Sequence, residues 1–249
     1  MSGHRQISDE LRYVSNVAGE NIAFISSNII DDPFRDESSS GTKRLPFDAP
    51  LGRSLDILIA FCALLVMAPI LVIVAVAIWA QDGGHPIFAH RRIGRGGLPF
   101  PCFKFRTMVV DADARLAHLL STDAESAREW ARDQKLRTDP RITPLGHFLR
   151  KSSLDEIPQL LNVLLGHMSL VGPRPIVESE VPRYGRYFSL YCQVRPGITG
   201  LWQVSGRNDV SYRRRVVLDT VYCRTKSVPF DLIILGKTVP AVLSRRGCT

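Results

Sequence analysis

The chain has 249 residues, a net charge of +8 and a pI of about 9.5, which suits one medium domain with appendages. A basic balance of this kind fits nucleic acid, an anionic membrane surface or phosphorylated substrates, but nucleic acid is set aside: there is no zinc-finger spacing, basic heptad region or aromatic RNA-binding signature. The five scattered cysteines form no C-x-x-C pair and the six histidines no H-E-x-x-H, which argues against disulfides and structural zinc and fits reduced cytosolic thiols.

Residues 1–50 read as a flexible, polar N-terminal cytoplasmic segment, with Ile22 to Ile30 apolar enough for a short interfacial helix. No signal peptide is expected, because the first long hydrophobic run starts late. That run, Ile57 to Ala80, carries no formal charge. By hydropathy alone it is a bilayer-spanning helix. Two features oppose this. Pro69 near its middle would kink a helix, and both flanks are basic, with Lys43, Arg44 and Arg53 before and Arg91, Arg92 and Arg95 after. A spanning helix normally has one basic side. Arg53 and Asp56, at i and i+3, have the spacing of a pair on one helix face.

Asp82 to Pro86 is a turn, Pro86 to Phe88 a short strand, and His90 to Gly97 a basic, glycine-rich loop that can cradle phosphate or simply face solvent. From Phe103 to Met108 apolar and basic residues alternate, placing Lys104 and Arg106 on one face of a strand. They are there for phosphate contact or to keep an edge strand soluble. Asp111 to Arg137 has helical composition, ended by Asp139-Pro140-Arg141 and Thr143-Pro144.

Next comes Ser152 to Pro175, with Asp155 and Glu156 side by side ahead of an apolar run. Ser153-x-x-Glu156 has capping-box spacing and Pro158 suits a first turn, so both acids are expected at a helix amino end, with Gly166 as its stop. A helix dipole there favours ionised carboxylates and draws in anions. Neighbouring helical residues point roughly 100° apart, so one acid can face a phosphorus atom and the other a cation. Arg150, Lys151 and Arg174 lie close in sequence, and guanidinium neighbours keep carboxylates ionised and hold phosphate. An isolated Asp-Glu pair is equally a common first-turn feature.

Beyond Pro175, Val181 to Phe188 suits a half-buried helix face. Val194 to Asn208 has two glycine-bearing turns around a short strand, which let a ligand approach closely, with Arg195 and Arg207 beside them. Ser211 to Lys226 reads as a helix exposing Arg213, Arg214 and Arg215. Pro229 to Val239 reads as an apolar helix too short to span a bilayer comfortably, suited to docking on a membrane surface.

Three strings carry a resemblance: Asp139-Pro140-Arg141-Ile142-Thr143-Pro144-Leu145-Gly146, Leu149-Arg150-Lys151-Ser152-Ser153-Leu154-Asp155-Glu156-Ile157-Pro158-Gln159-Leu160, and Ser169-Leu170-Val171-Gly172-Pro173-Arg174-Pro175. In this order they resemble the bacterial sugar transferase family, the monotopic phosphoglycosyl transferases that start glycan assembly on a polyprenol phosphate. The likeness runs from about Arg53 to the C-terminus. It implies an α+β fold, with a small mixed catalytic domain and amphipathic interfacial helices over residues 83–249, preceded by a re-entrant membrane helix over residues 51–82. Many members have Ser before the bend proline, where this chain has Ala68, and Lys-Gln where it has Ala89-His90.

The resemblance further implies transfer of a hexose-1-phosphate from a UDP-sugar to undecaprenyl phosphate. UMP would be released, and the step would open exopolysaccharide synthesis at the cytoplasmic face of the inner membrane. Asp155 would attack phosphorus, Glu156 would hold Mg²⁺, Lys104, Arg106, Arg150 and Arg174 would neutralise developing charge, and Arg195 and Arg207 are candidate diphosphate contacts. General similarity suggests galactose first and glucose next. A non-catalytic membrane scaffold binding anionic lipid is the competing class. The sequence is silent on oligomeric state.

Overall fold

A computed structural model describes residues 50–133, 136–205 and 211–243. Of the expected 1–50 segment, residues 1–49, with the expected interfacial helix, lie outside the described residues, as does Arg207. Helix α1 (Pro50–Asp82) contains Pro69. It leaves Phe61, Leu65, Val66, Val72, Ile73 and Trp79 exposed, and only 11% of its most apolar window, of mean hydropathy 3.2, is buried. Apolar surface left in water costs roughly 25 cal/mol per Å², so a face of this extent suits a membrane. Among the described residues α1 is the one helix long and apolar enough to cross a bilayer.

Both ends of α1 are tied to the domain that follows. Near its start, Arg53 donates to the carbonyls of Val163 and Met168, while Asp56 accepts from Ser169 Oγ (2.7 Å) and Leu170 N (3.2 Å). At its end, Asp82 pairs with Arg106, whose guanidinium also reaches the carbonyls of Ile78 and Gly84. The spacing of Arg53 and Asp56 suggests a mutual pair, yet each serves as a tether to the domain.

Strands β1 (Ile87–Ile93) and β2 (Pro99–Phe105) form an antiparallel hairpin, in register from Ile87↔Phe105 to Ile93↔Pro99. The strand expected to stop at Phe88 continues to Ile93, because Cys102, Pro101 and Phe100 stand opposite His90, Arg91 and Arg92. The basic loop shrinks to Gly94–Leu98. Helices α2 (Ala112–Thr122) and α3 (Ala124–Asp133) follow. They are parted at Asp123, whose carboxylate accepts from the Glu125 and Ser126 amides and so caps α3. Helix α4 (Pro144–Ser152) is capped by Thr143, whose hydroxyl accepts from Gly146 N at 2.9 Å, with Pro144 in the first turn.

After the short α5 (Gln159–Leu164), β3 (Ser169–Val171) pairs in parallel with β4 (Gly197–Thr199). Between them lie one-turn helices α6 (Val181–Tyr184) and α7 (Phe188–Tyr191). Then come α8 (Leu201–Val204), α9 (Tyr212–Thr225), capped by Ser211, and α10 (Val228–Leu243). Arg213 is exposed as expected, whereas Arg215 lies over the Trp202 ring, 4.6 Å from its centroid. Helix α10 buries Phe230 and Ile234 and exposes Leu232, Ile233 and Val239.

The main core joins Phe100 and Cys102 of β2, Val163, Met168, Leu170, Trp202, Tyr222 and Ile234, with Ala60 of α1 packed in. A second cluster joins Val74 and Ile78 of α1 to Phe105 and Leu149. Helices and small sheets thus share one mixed architecture, with β2 behind α4 and α5.

That packing is tightest at Gly146, where a Cβ would collide with the backbone carbonyl of Thr107. Gly146→Ala must therefore push α4 away from the segment after β2. A loss of about 3 kcal/mol is expected for such overpacking, seen as a thermal midpoint lowered by about 6–12 °C. A midpoint equal to that of the unsubstituted protein would contradict the contact.

Candidate active site

Asp155 and Glu156 sit at the junction of α4 and α5. Helix α4 ends at Ser153, which adopts left-handed backbone geometry (φ 58°) and bonds its N–H to the Arg150 carbonyl. A single 3₁₀ turn, Leu154–Glu156, then carries both acids, and α5 begins only at Gln159. This corrects the expected capping box. The Ser153 side chain makes no capping bond, because its backbone closes one helix instead of opening the next. With α5 only six residues long, the site draws its charge from side chains rather than from a helix dipole.

Those side chains treat the two acids differently. Lys104, from β2, donates to Glu156 Oε1 at 2.6 Å. Burial pushes the Glu156 carboxyl up, but Lys104, Arg174 and Arg92 together outweigh burial and hold it below the usual carboxylate range. Arg92 is fixed by its bond to the Pro175 carbonyl at 3.1 Å, beside Arg174 in Pro173-Arg174-Pro175. Among the described residues Arg174 makes no side-chain hydrogen bond, so its guanidinium is available to an anion.

Asp155 goes the other way. Burial, helped by the neighbouring charge of Glu156, pushes its carboxyl up to about 6 against the pull of Lys104 and Arg150. Guanidinium neighbours alone were expected to hold both acids well ionised, and for Asp155 burial wins. Its carboxylate makes no hydrogen bond to another described side chain. Arg150, at the end of α4, donates Nε to Thr107 Oγ1 at 2.9 Å and feels the charges of Asp155, Asp139 and Arg141. Asp139 and Arg141 are locked to each other in a buried two-point pair (2.8 and 2.7 Å).

The structure therefore brings together Asp155, Glu156, Lys104, Arg150 and Arg174. It does not bring Arg106 with them. Alternation suggests that Lys104 and Arg106 share a role, but β2 ends at Phe105, and Arg106 spends its guanidinium on Asp82 and the end of α1. Arg195 lies elsewhere too, donating Nε to the Gly166 carbonyl at 2.9 Å.

Two residues go unmarked in the sequence, and Arg92 is marked only as a basic flank of the apolar run and as part of a loop. Thr107 carries no charge to draw attention. Asp219 of α9 is 2% exposed, accepts from Tyr184 Oη at 2.8 Å, and is pushed up to about 8 by burial despite the charges of Arg174 and Arg215. Nothing in a helical heptad-free stretch distinguishes such an acid from a solvated one.

Two adjacent acids with opposed titration, ringed by cations, can divide labour. The acid that is half desolvated and unpaired is the better nucleophile. The one pinned by Lys104 stays anionic and can share a cation. Among the described residues no group of three His, Cys, Asp or Glu side chains gathers to hold a metal. Among the described residues the second oxygen of Glu156 has no hydrogen-bond partner, so it fits a Mg²⁺ ion that takes one carboxylate and fills its remaining positions from water and phosphate.

Residues 47–245 match the family model described as bacterial sugar transferase. The chain is 50% identical over 197 residues to the UDP-galactose-lipid carrier transferase of Erwinia amylovora, covering 79% of this chain and 41% of that protein. It is 46% identical over 215 residues to exopolysaccharide production protein ExoY of Rhizobium meliloti, covering 86% and 95%. It is 48% identical over 197 residues to the undecaprenyl-phosphate galactose phosphotransferase of Salmonella typhimurium, covering 79% and 41%. The chain thus spans about two fifths of the length of some of these relatives and nearly all of another.

Proposed function

The chain belongs to the bacterial sugar transferase family, and on that premise we propose that it transfers a hexose-1-phosphate, galactose-1-phosphate first among candidates, from a UDP-sugar to undecaprenyl phosphate. Names of relatives favour galactose and exopolysaccharide synthesis. The observation that carries the reaction class is the split within the dyad: Asp155 unpaired and pushed up to about 6, Glu156 bound to Lys104 and held down.

The chemistry runs in two displacements. A carboxylate oxygen of Asp155 bonds to the phosphorus that bears the sugar. The bond from that phosphorus to the bridging oxygen breaks, and UMP leaves with the electron pair. An oxygen of the lipid phosphate then attacks the same phosphorus, the aspartyl–phosphorus bond breaks, and the carboxylate is restored. Splitting the transfer lets two bulky anions react one at a time. Arg150 and Arg174 present guanidinium forks to the phosphate oxygens, and Lys104 keeps Glu156 ionised. Mg²⁺ held by Glu156 would arrive with the donor and neutralise its diphosphate.

Helix α1 sets where this happens. From Arg53 to Ile78, a straight helix would measure about 38 Å at 1.5 Å per residue, more than the ~30 Å hydrocarbon core. Yet both Arg53 and the Ile78 carbonyl bond to one domain. A domain that holds both ends favours entry and return through one leaflet, with Pro69 as the bend. The site then lies at headgroup height on the cytoplasmic face, where a water-soluble donor meets a lipid phosphate.

The reading is tested by incubating purified protein, Mg²⁺ and undecaprenyl phosphate with UDP-galactose, UDP-glucose and other UDP-sugars while following UMP. Release with UDP-galactose is expected; release with none would reject the reading. Turnover should also fall about tenfold per pH unit below about 6, as protonation removes the Asp155 nucleophile. A rate that stays level from pH 7 to pH 5 would place another group in that role.

A further inference from the structure

We propose that Thr107 is a positioning residue whose hydroxyl sets the guanidinium fork of Arg150 beside Asp155, so that its terminal nitrogens face the donor diphosphate. The proposal rests on the reading of the site as a phosphoryl-transfer centre and names a residue that reading does not use. Thr107 lies just past β2, three residues after Lys104, and is 7% exposed. Its backbone is gripped at the start of α4: its carbonyl accepts from Thr143 N at 3.1 Å, and Gly146 packs directly on it. Its side chain meets the end of the same helix, taking Arg150 Nε at 2.9 Å. One residue thus spans α4 from its first turn to its last.

The consequence concerns freedom. An arginine side chain has several rotatable bonds, and holding it in one geometry costs conformational entropy at the moment of binding. Fixing Nε sets the plane of the guanidinium in advance and leaves both terminal nitrogens for a ligand. Neither makes a hydrogen bond to another described residue. A planar fork so held matches two oxygens of a phosphate. The nearby charges do not compete for it, since Asp139 and Arg141 are bound to each other. The groups facing Asp155 are then Glu156 on its own turn, Lys104 from β2 and Arg150 from α4. Together, Lys104 and Thr107 let one short extended segment set the partner of each acid.

Thr107→Val keeps the shape and removes the hydroxyl, while Thr107→Ser keeps the hydroxyl. Three quantities are to be read for each: kcat/KM for UMP release, binding of UDP by calorimetry, and thermal midpoint. In the Val variant, kcat/KM and UDP affinity should each fall about tenfold, the loss expected for a hydrogen bond to a charged group. The Ser variant should stay within about threefold of the unsubstituted protein. The proposal is overturned if Val matches the unsubstituted protein, if Val loses activity with a lowered midpoint but unchanged UDP affinity, or if Ser is as impaired as Val. Unsubstituted protein that neither binds UDP nor releases UMP overturns both this proposal and the functional reading beneath it.

Discussion

Asp155→Asn is expected to abolish sugar-phosphate transfer while leaving the protein on the membrane and slightly more stable. The amide keeps the shape of the acid but cannot form the aspartyl–phosphorus bond, so UMP release should drop by at least about 10⁴-fold, the scale seen when an essential nucleophile is removed. The stability gain follows from the same burial that tunes the acid. The folded carboxyl titrates at about 6 against an ordinary 3.8. The protonated form is therefore the one that the fold favours. Its contribution is fully present below pH 3.8 and is lost as pH rises through about 6. At pH 7.5 the ionised, desolvated carboxylate is a strain on the fold, and a neutral amide relieves it. Allowing for partial exposure, the relief is about 1–2 kcal/mol, a thermal midpoint higher by about 3–6 °C. Sedimentation with vesicles should not change, because α1 and the apolar face of α10 are untouched. Undiminished turnover would remove Asp155 from the chemistry.

Lys104→Met should also be damaging, less so and for a different reason. Glu156 loses the ammonium 2.6 Å from Oε1. Burial, the largest influence on Glu156, is then opposed only by Arg174 and Arg92 among its principal partners. Its carboxyl should rise toward neutrality, and it would hold the Mg²⁺ of the proposed function less well. A fall in turnover of about 10²–10³-fold is expected, the range for losing one preorganised charged group. Breaking the pair also leaves a carboxylate without its partner, at a stability cost of about 2 kcal/mol for this partly exposed pair. Lys104→Arg should recover part of the activity, since charge returns but the compact ammonium does not. Steady-state kinetics with melting curves on all three proteins decide this. Met and unsubstituted proteins alike in turnover would show that Lys104 has no bearing on the dyad.

These expectations mark what could be read from residues alone. The dyad, Lys104, Arg150 and Arg174 stand in strings whose residue types already speak of phosphate, and the structure gathers them. Arg106 misleads because strand alternation assigns it a face without saying where β2 stops or that Asp82 waits at the end of α1. The capping-box reading of Ser153 fails in a similar way: the same spacing serves a left-handed helix stop when Pro158 delays the next helix. Thr107 and Asp219 are silent in sequence because their roles come from burial and from partners far along the chain, Arg150 and Tyr184. The apolar helix was plain from its uncharged run, but the tethers at both of its ends depend on tertiary contacts that no local pattern encodes.

The central claim is that one oxygen of Asp155 becomes bonded to phosphorus. It is tested most directly by mixing the protein with UDP-galactose and Mg²⁺ in the absence of lipid acceptor, quenching in acid, digesting, and weighing the peptide that carries Asp155. A fraction of that peptide heavier by one hexose phosphate, lost on addition of undecaprenyl phosphate and absent from Asp155→Asn, is the expected result. An unmodified peptide in protein that still releases UMP when the acceptor is supplied would contradict it.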